Sequence, residues 1–258
     1  MIPSSFTAML DAAHASWRPV LQAGLEAIDT AYPDYLDALA KEHYLPNGGR
    51  VFAAFAQPMD TVRYVLVGEG PYPRPDSATG VCFMDGAVSS LWSEKGLSKP
   101  VNRATSLRNF MKMLLVADGQ LAVDQTTGEA LAEVAHRART SDEVIQTLPE
   151  LQANLTAQGF LLLNATLVFR ADMPPVREAK AWLPFLQVVL AALADHAERK
   201  GREPPTLVLW GKIAVQLEAL PANSRFPKKT SEHPYNLSFI ANPAMQKLFG
   251  AMHLLRKR

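Results

Sequence analysis

The chain has 258 residues, of which 48% are hydrophobic and 20% charged, and its formal net charge is +1. It contains no run of 18 consecutive apolar residues and no secretory signal at its N-terminus, and its single cysteine, Cys82, excludes an internal disulfide framework and an all-cysteine metal cluster. We therefore expect one globular domain over residues 1–258 in the reducing cytoplasm, with any nucleic-acid surface confined to a local basic face.

Apolar runs along the chain predict strands that alternate with helices. Residues 1–60 are expected to be mostly helical. Short apolar runs that end at Gly68, Asn164 and Gly211 are typical of buried strands in a parallel sheet. The predicted strands are 64–67, 160–163, 206–210 and a short one before His233, and the predicted helices are 107–115, 129–158 (broken near Thr140 and Pro149), 182–198 and 212–220. This alternation predicts an α/β protein, a three-layer α/β/α sandwich with a central, mainly parallel four-stranded sheet.

The loop after the first strand combines glycines with prolines. Gly68 and Gly70 are spaced as in a dinucleotide-binding loop, but Pro71 and Pro73 remove backbone donors where a phosphate would bind, and no third glycine follows at the required spacing. Glycines followed by prolines are typical of a rigid loop whose backbone approaches a flat ligand. A plain turn would explain the glycines, but less easily Tyr72 between two prolines.

Other candidate site residues also follow strands, where ligands of such sheets bind. Phe83 lies in Gly-Val-Cys-Phe, Asn164 ends a wholly apolar run, and His233 begins His-Pro-Tyr-Asn-Leu-Ser. Each has a structural alternative: Phe83 as core, Asn164 as a capped buried amide, and His233 as an ordinary surface histidine. Only their order along the chain is specific.

Five ordered segments resemble the uracil-DNA glycosylase superfamily, and most closely its family 1. They are GEGPYPRPDSATGVCF at 68–83, TSLRNF at 105–110, GFLLLNATLVFR at 159–170, VLWG at 208–211 and HPYNLS at 233–238. The resemblance covers about residues 60–250. Residues 1–60 match the family only as a helical lead-in. The segment 116–158 is longer than the corresponding segment of the family, which indicates a helical insertion. This insertion would either contact DNA or a partner, or only add helical packing.

The resemblance implies a base-excision repair enzyme. Such an enzyme flips uracil out of single- or double-stranded DNA and hydrolyses its N-glycosidic bond, which leaves an abasic site. The resemblance further implies a monofunctional monomer that needs neither a metal nor another cofactor.

The resemblance also assigns roles to individual residues. Phe83 would stack on the uracil ring, Asn164 would pair with its edge, and Tyr72 would exclude the methyl group of thymine. His233 would donate a hydrogen bond to uracil O2 as negative charge develops there. Leu237 would fill the space left by the flipped base. The remaining implied contacts are Gly68 and Gly70 to the base, and Ser106 and Ser238 to the DNA backbone.

The chain departs from family 1 in the water-activating part of this loop. Gly70 stands where the family has an aspartate, and Glu69 where it has a glutamine. Gly-Glu-Gly-Pro resembles the iron–sulfur family 4 enzymes instead, but those need four cysteine ligands. Glu69 is therefore the leading substitute acid, with Asp76 and Asp85 behind it, and a structural role for Glu69 remains open. Reduced or altered activity is an expected consequence of Gly70.

Two alternatives of other kinds remain. A catalytically weakened or inactive homologue that binds uracil or DNA would need only the pocket and Leu237. An unrelated hydrolase is less well supported, because the sequence has neither a Gly-x-Ser-x-Gly motif nor a His-x-x-x-His pair.

Overall fold

The predicted apolar runs form the strands of the central sheet. The computed structural model describes residues 2–258. The strands are β1 (Tyr64–Gly68), β2 (Trp92–Ser93), β3 (Gly96–Leu97), β4 (Phe160–Asn164), β5 (Thr206–Trp210) and β6 (Lys228–Ser231). The central sheet has the order β4-β1-β5-β6, and β2 and β3 form a separate antiparallel pair that the sequence did not predict.

The central sheet is parallel. β1 pairs in parallel with β4 and with β5. The Leu207 N–H donates to Pro227 O and the Gly211 N–H donates to Ser231 O, each at 2.9 Å, so β6 runs in the same direction as β5. Helices flank this sheet, and the α/β fold-class prediction is confirmed.

Ten α-helices make up most of the remaining regular structure of residues 2–258. They are α1 (Ser4–Met9), α2 (Arg18–Ala31), α3 (Tyr35–Leu39), α4 (Lys99–Arg103), α5 (Thr105–Ala117), α6 (Gly128–Thr140), α7 (Leu148–Ala157), α8 (Pro175–Arg199), α9 (Ile213–Leu217) and α10 (Pro243–Gly250). No helix among these residues has the length and apolar character needed to cross a bilayer. α1–α3 lie within the predicted helical segment 1–60, and α6 and α7 lie within 116–158, whose status as an insertion stays a prediction.

The helix boundaries differ from the predictions at three places. The predicted break near Thr140 is present, but Pro149 lies in the first turn of α7, where proline needs no hydrogen-bond partner. α8 begins at Pro175 rather than at residue 182; the prediction started late because the first turns show no clear apolar periodicity. α9 ends at Leu217, three residues earlier than predicted.

The chain forms two compact units. The first contains the residues up to Asp85, Gly159–Leu209 and Ile213–Lys228. In its core, α2 packs on α8: a Cβ atom at Gly24 would lie 2.5 Å from Cδ2 of Phe185, so this close approach requires glycine. The prediction of a single domain over 1–258 stays a prediction.

The second unit contains Gly86–Gln158, Trp210–Lys212 and Lys229–Arg258. Its core includes an aromatic cluster of Phe110, Trp210, Phe239 and Phe249, in which the ring centroids of Trp210 and Phe239 are 5.4 Å apart. Phe239 lies in the 3₁₀ turn Leu237–Ala241, so the aromatic cluster anchors the turn that begins four residues after His233.

Candidate active site

In the first unit, Asn164 and Gly68 end two paired strands. They are partners in the β1–β4 register, and Asn164 is only 4% exposed. A Cβ atom at Gly68 would lie 3.0 Å from Asn164 Oδ1 and 2.5 Å from Cys82 Sγ. Glycine at position 68 therefore leaves the space that the Asn164 amide and the Cys82 thiol occupy.

The two strands stay hydrogen-bonded beyond their ends. The Ala165 N–H donates to Gly68 O at 2.8 Å, and the Thr166 N–H donates to Glu69 O at 3.1 Å. Glu69 and Gly70 are both exposed. A Cβ atom at Gly70 would meet only Thr166, at 3.6 Å, which is an ordinary contact. Position 70 therefore has room for a Cβ atom.

Phe83 has a backbone conformation that is rare for a bulky residue. Its φ is +67°, in the left-handed region. The surrounding loop fixes this conformation: the Cys82 N–H donates to Leu162 O at 3.0 Å, and the Thr79 hydroxyl donates to Met84 O at 2.9 Å. Gly80 has φ +82°, and a Cβ atom there would lie 2.0 Å from Arg50 O. Because strained residues cluster at functional sites, this geometry supports a role for Phe83 beyond core packing.

Burial sets the protonation of two groups in this loop. Burial raises the pKa of the Tyr72 phenol well above its usual value, and the nearby Cys82 and Asp85 raise it further. Burial also raises the pKa of the Cys82 thiol to about 12, against a weaker opposing effect of the Gly68 N–H. Both groups are therefore protonated at neutral pH.

The three candidate acids have different environments. Glu69 and Asp76 are exposed, whereas Asp85 is buried at 4% exposure and pairs with Arg74, with Nη2 and Oδ2 3.3 Å apart. The Asp85 carboxylate is thus already engaged with a cation. Of the other two acids, Glu69 lies nearer in sequence to this part of the site. It follows directly after Gly68, the strand partner of Asn164.

In the second unit, the histidine loop has a defined imidazole tautomer. The Tyr235 N–H donates to His233 Nδ1 at 3.1 Å, so a neutral ring carries its proton on Nε2. The Asn236 N–H donates to His233 O at 2.9 Å, which closes a turn. Gly211 has φ +70°, and a Cβ atom there would lie 3.0 Å from His233 Cβ. The contacts at Nδ1 and Cβ hold the ring in place, with the proton of the neutral ring on Nε2.

Two further polar residues, which the sequence did not single out, fix the same loop. Asn109 of α5 is fully buried, and its Nδ2 donates to Pro234 O at 2.7 Å and to the carbonyls of Tyr235 and Asn236 at 3.3 and 3.4 Å. Glu232 accepts a hydrogen bond from the Asn242 amide at 2.8 Å and one from the Ser238 hydroxyl. The backbone of 232–238 is therefore well ordered by contacts within the unit.

The remaining predicted DNA contacts lie at accessible positions of the second unit. Leu237 is 69% exposed, Ser238 is exposed, and Ser106 is half-buried in the first turn of α5. No group of three or more His, Cys, Asp or Glu side chains within residues 2–258 is placed to hold a metal ion.

Comparisons with known proteins identify the family. No family model matches the chain. A uracil-DNA glycosylase of Porphyromonas gingivalis is 30% identical over 248 residues, which are 94% of this chain and 90% of that protein. The chain belongs to the uracil-DNA glycosylase family. A further family member, from Corynebacterium glutamicum, is 28% identical over 228 residues, covering 87% of this chain and 81% of its own.

A solved structure of this family matches nearly the whole fold. The wild-type UNG crystal structure from Nitratifractor salsuginis has a TM-score of 0.86 and 38% sequence identity, and the match covers 98% of this chain and 96% of that one. The resemblance inferred from the five ordered segments is thus confirmed at the level of the uracil-DNA glycosylase superfamily.

The structure separates the predicted residues into two groups. The first unit holds the residues assigned to the base and to water, namely Gly68, Glu69, Gly70, Tyr72, Phe83 and Asn164. The second unit holds the residues assigned to the leaving group and to the DNA backbone, namely Ser106, His233, Leu237 and Ser238. The individual roles stay predictions. Asn109 and Glu232 were missed because only the fold reveals their contacts with the histidine loop.

Proposed function

We propose that this uracil-DNA glycosylase removes uracil from DNA by hydrolysing the bond between uracil N1 and the deoxyribose. Water adds to the sugar carbon, and the base leaves as free uracil, so the products are uracil and an abasic site. The buried amide of Asn164 at the carboxyl end of β4 is the observation that carries the proposal, because such an amide can read a base edge.

The first unit supplies the recognition of uracil. The Asn164 amide offers one donor and one acceptor, which match the O4 acceptor and N3–H donor of uracil, whereas cytosine presents the opposite pattern. A buried amide that faces the cytosine edge would be left unpaired, so Asn164 discriminates strongly between uracil and cytosine. Phe83 stacks on the ring, and Tyr72 occupies the space that the methyl group of thymine would need.

The second unit supplies stabilisation of the leaving group. As the glycosidic bond breaks, negative charge develops on uracil O2. His233 donates a hydrogen bond to that atom from Nε2–H, the nitrogen that the contact from Tyr235 N–H leaves protonated. A donor held in place before the reaction needs no reorganisation during it.

Glu69 orients the attacking water or stabilises the positive charge on the sugar. Its carboxylate is exposed at the end of β1, and Gly70 has no side chain to take this role. Losing a positioned general base commonly lowers a rate by about 100- to 10,000-fold, so a substitute acid matters. We infer that the enzyme works without the family aspartate, at a reduced or altered rate.

DNA is held by the second unit. Leu237 fills the gap left by the flipped nucleotide, and Ser106 and Ser238 contact the phosphate backbone. The proposed substrate is single- or double-stranded DNA that contains uracil. We further propose that the enzyme is a cytoplasmic monomer that needs no metal and no other cofactor.

A single-turnover assay tests this function. The enzyme is mixed in excess with single-stranded and duplex oligonucleotides that contain one deoxyuridine, and both free uracil and alkali-labile abasic sites are measured. The proposal predicts both products in equal amounts and none from matched thymine or cytosine substrates. Tight binding without release would instead identify a non-catalytic homologue.

A further inference from the structure

The histidine loop presents two large exposed side chains close together. Five large hydrophobic side chains are exposed among the described residues, and two of them, Tyr235 at 68% and Leu237 at 69%, lie two positions apart in this loop. Scattered exposed apolar side chains are ordinary, whereas a concentration of them commonly marks a contact surface. Leu237 already has a proposed DNA contact, and Tyr235 has none.

The exposure of Tyr235 does not arise from a loosely held backbone. The Tyr235 carbonyl accepts from the buried amide of Asn109, and the Tyr235 N–H donates to His233 Nδ1. The neighbouring carbonyls of Pro234 and Asn236 accept from the same amide, and the Phe239 ring beneath the loop is fully buried. The phenol ring is therefore displayed on a preorganised backbone, which lowers the entropic cost of binding.

The chemistry of the loop favours a base over a phosphate as the partner of Tyr235. Residues 233–238 contain no lysine or arginine, and Glu232 directly before them is acidic. Phosphate contacts are made by arginine and lysine, by amides and hydroxyls, including the tyrosine hydroxyl, and by backbone N–H groups. An aromatic ring, by contrast, stacks on any base, because every base has a π-face.

The spacing of the two residues suits neighbouring bases. The Cα atoms of residues two apart are separated by at most about 7 Å, so Tyr235 is within reach of a base one step of about 3.4 Å along the strand from the position that Leu237 fills. We propose that Tyr235 stacks on a base that adjoins the flipped nucleotide, next to the position that Leu237 fills. This inference rests on the proposed function, since it assigns Tyr235 to the same DNA complex.

The proposal is tested with an oligonucleotide that has 2-aminopurine beside a non-hydrolysable deoxyuridine analogue. Three variants are compared with the wild type: Tyr235→Ser, Tyr235→Phe, and Val215→Ser as a control at an exposed apolar residue of α9 that is 67% exposed. Tyr235→Ser is expected to weaken binding by about tenfold and to change the 2-aminopurine fluorescence of the complex. Tyr235→Phe and Val215→Ser are expected to match the wild type.

The outcomes separate this inference from the proposed function. Unchanged affinity and fluorescence for Tyr235→Ser would overturn the inference, and so would a Tyr235→Phe variant that behaves like Tyr235→Ser, because the phenol hydroxyl would then be the contact. The rate of uracil release by the wild type is measured in parallel. Absence of release would overturn the proposed function, whereas normal release with unchanged Tyr235→Ser binding would overturn the stacking inference alone.

Discussion

Asn164 and Gly68 are strand partners, and a Cβ atom at Gly68 would lie 3.0 Å from Asn164 Oδ1. The amide can occupy the end of β4 only because the neighbouring strand ends in a residue without a side chain. The pairing of these two strand ends therefore positions the amide that we propose binds the edge of uracil. A substitution at position 68 tests this directly.

Gly68→Ala is expected to displace the Asn164 amide and to lower kcat/KM for uracil release by about 10- to 100-fold. The new methyl group would also lie 2.5 Å from Cys82 Sγ, in a region with little room to adjust. Gly70→Ala is the matched control for folding, since its Cβ atom makes only an ordinary contact. Single-turnover kinetics and thermal unfolding of both variants check the prediction, which an unaffected Gly68→Ala rate would contradict.

Glu69→Gln is expected to lower the single-turnover rate by about tenfold or more without weakening DNA binding. The reason is that amide and carboxylate have similar shapes, but only the carboxylate stabilises a cation or accepts a proton. Gly70→Asp, which restores the family aspartate at a position with room for its Cβ atom, is expected to make the enzyme less dependent on Glu69. If Glu69→Gln has the wild-type rate, water activation belongs to another group.

The fold was largely predictable from the sequence. The runs at 64–67, 160–163 and 206–210 are short, apolar and bounded by glycine or asparagine, and each became a buried parallel strand. The β2–β3 hairpin was missed because strands of two residues have no measurable periodicity. The start of α8 was missed because residues 176–181 mix valine and alanine with charged residues and show no clear helical periodicity.

Site residues could be predicted from the sequence only where their type and their position relative to a strand indicate a function. Asn164 ends a strand and His233 closely follows one, so a sequence pattern can find them. Asn109 is separated by 125 residues from the carbonyl it contacts most closely, and no local pattern encodes that hydrogen bond. The positive φ of Phe83 likewise depends on tertiary contacts, since phenylalanine does not favour it by itself.

The Cys82 thiol is expected to react slowly with thiol reagents in the folded protein. Burial raises its pKa to about 12, so the reactive thiolate is a minute fraction at pH 8. Because Cys82 is the only cysteine, the colour released by a disulfide reagent reports on it alone. We expect rapid labelling in denaturant and slow labelling without it; fast stoichiometric labelling of the native enzyme would contradict the burial of this loop.

Ser238→Ala is expected to destabilise the fold in a pH-dependent way. Burial alone would raise the pKa of Glu232, but hydrogen bonds from Ser238 and Asn242 lower it below its usual value of 4.5. A depressed folded-state pKa gives stability that is present above the unfolded value and lost as the pH falls through the folded value. The difference in unfolding free energy between wild type and variant should therefore be largest near neutral pH and shrink below pH 4.5; a constant difference would argue against this contact.

The most direct test of base recognition by Asn164 compares uracil release by the wild type and by Asn164→Asp on one deoxyuridine oligonucleotide under single-turnover conditions. The substitution keeps the shape of the side chain and removes its N–H donor. We expect release by the wild type and a rate at least about 100-fold lower for the variant, with similar thermal stability. Equal rates for the two proteins would show that the amide at the end of β4 does not read the base.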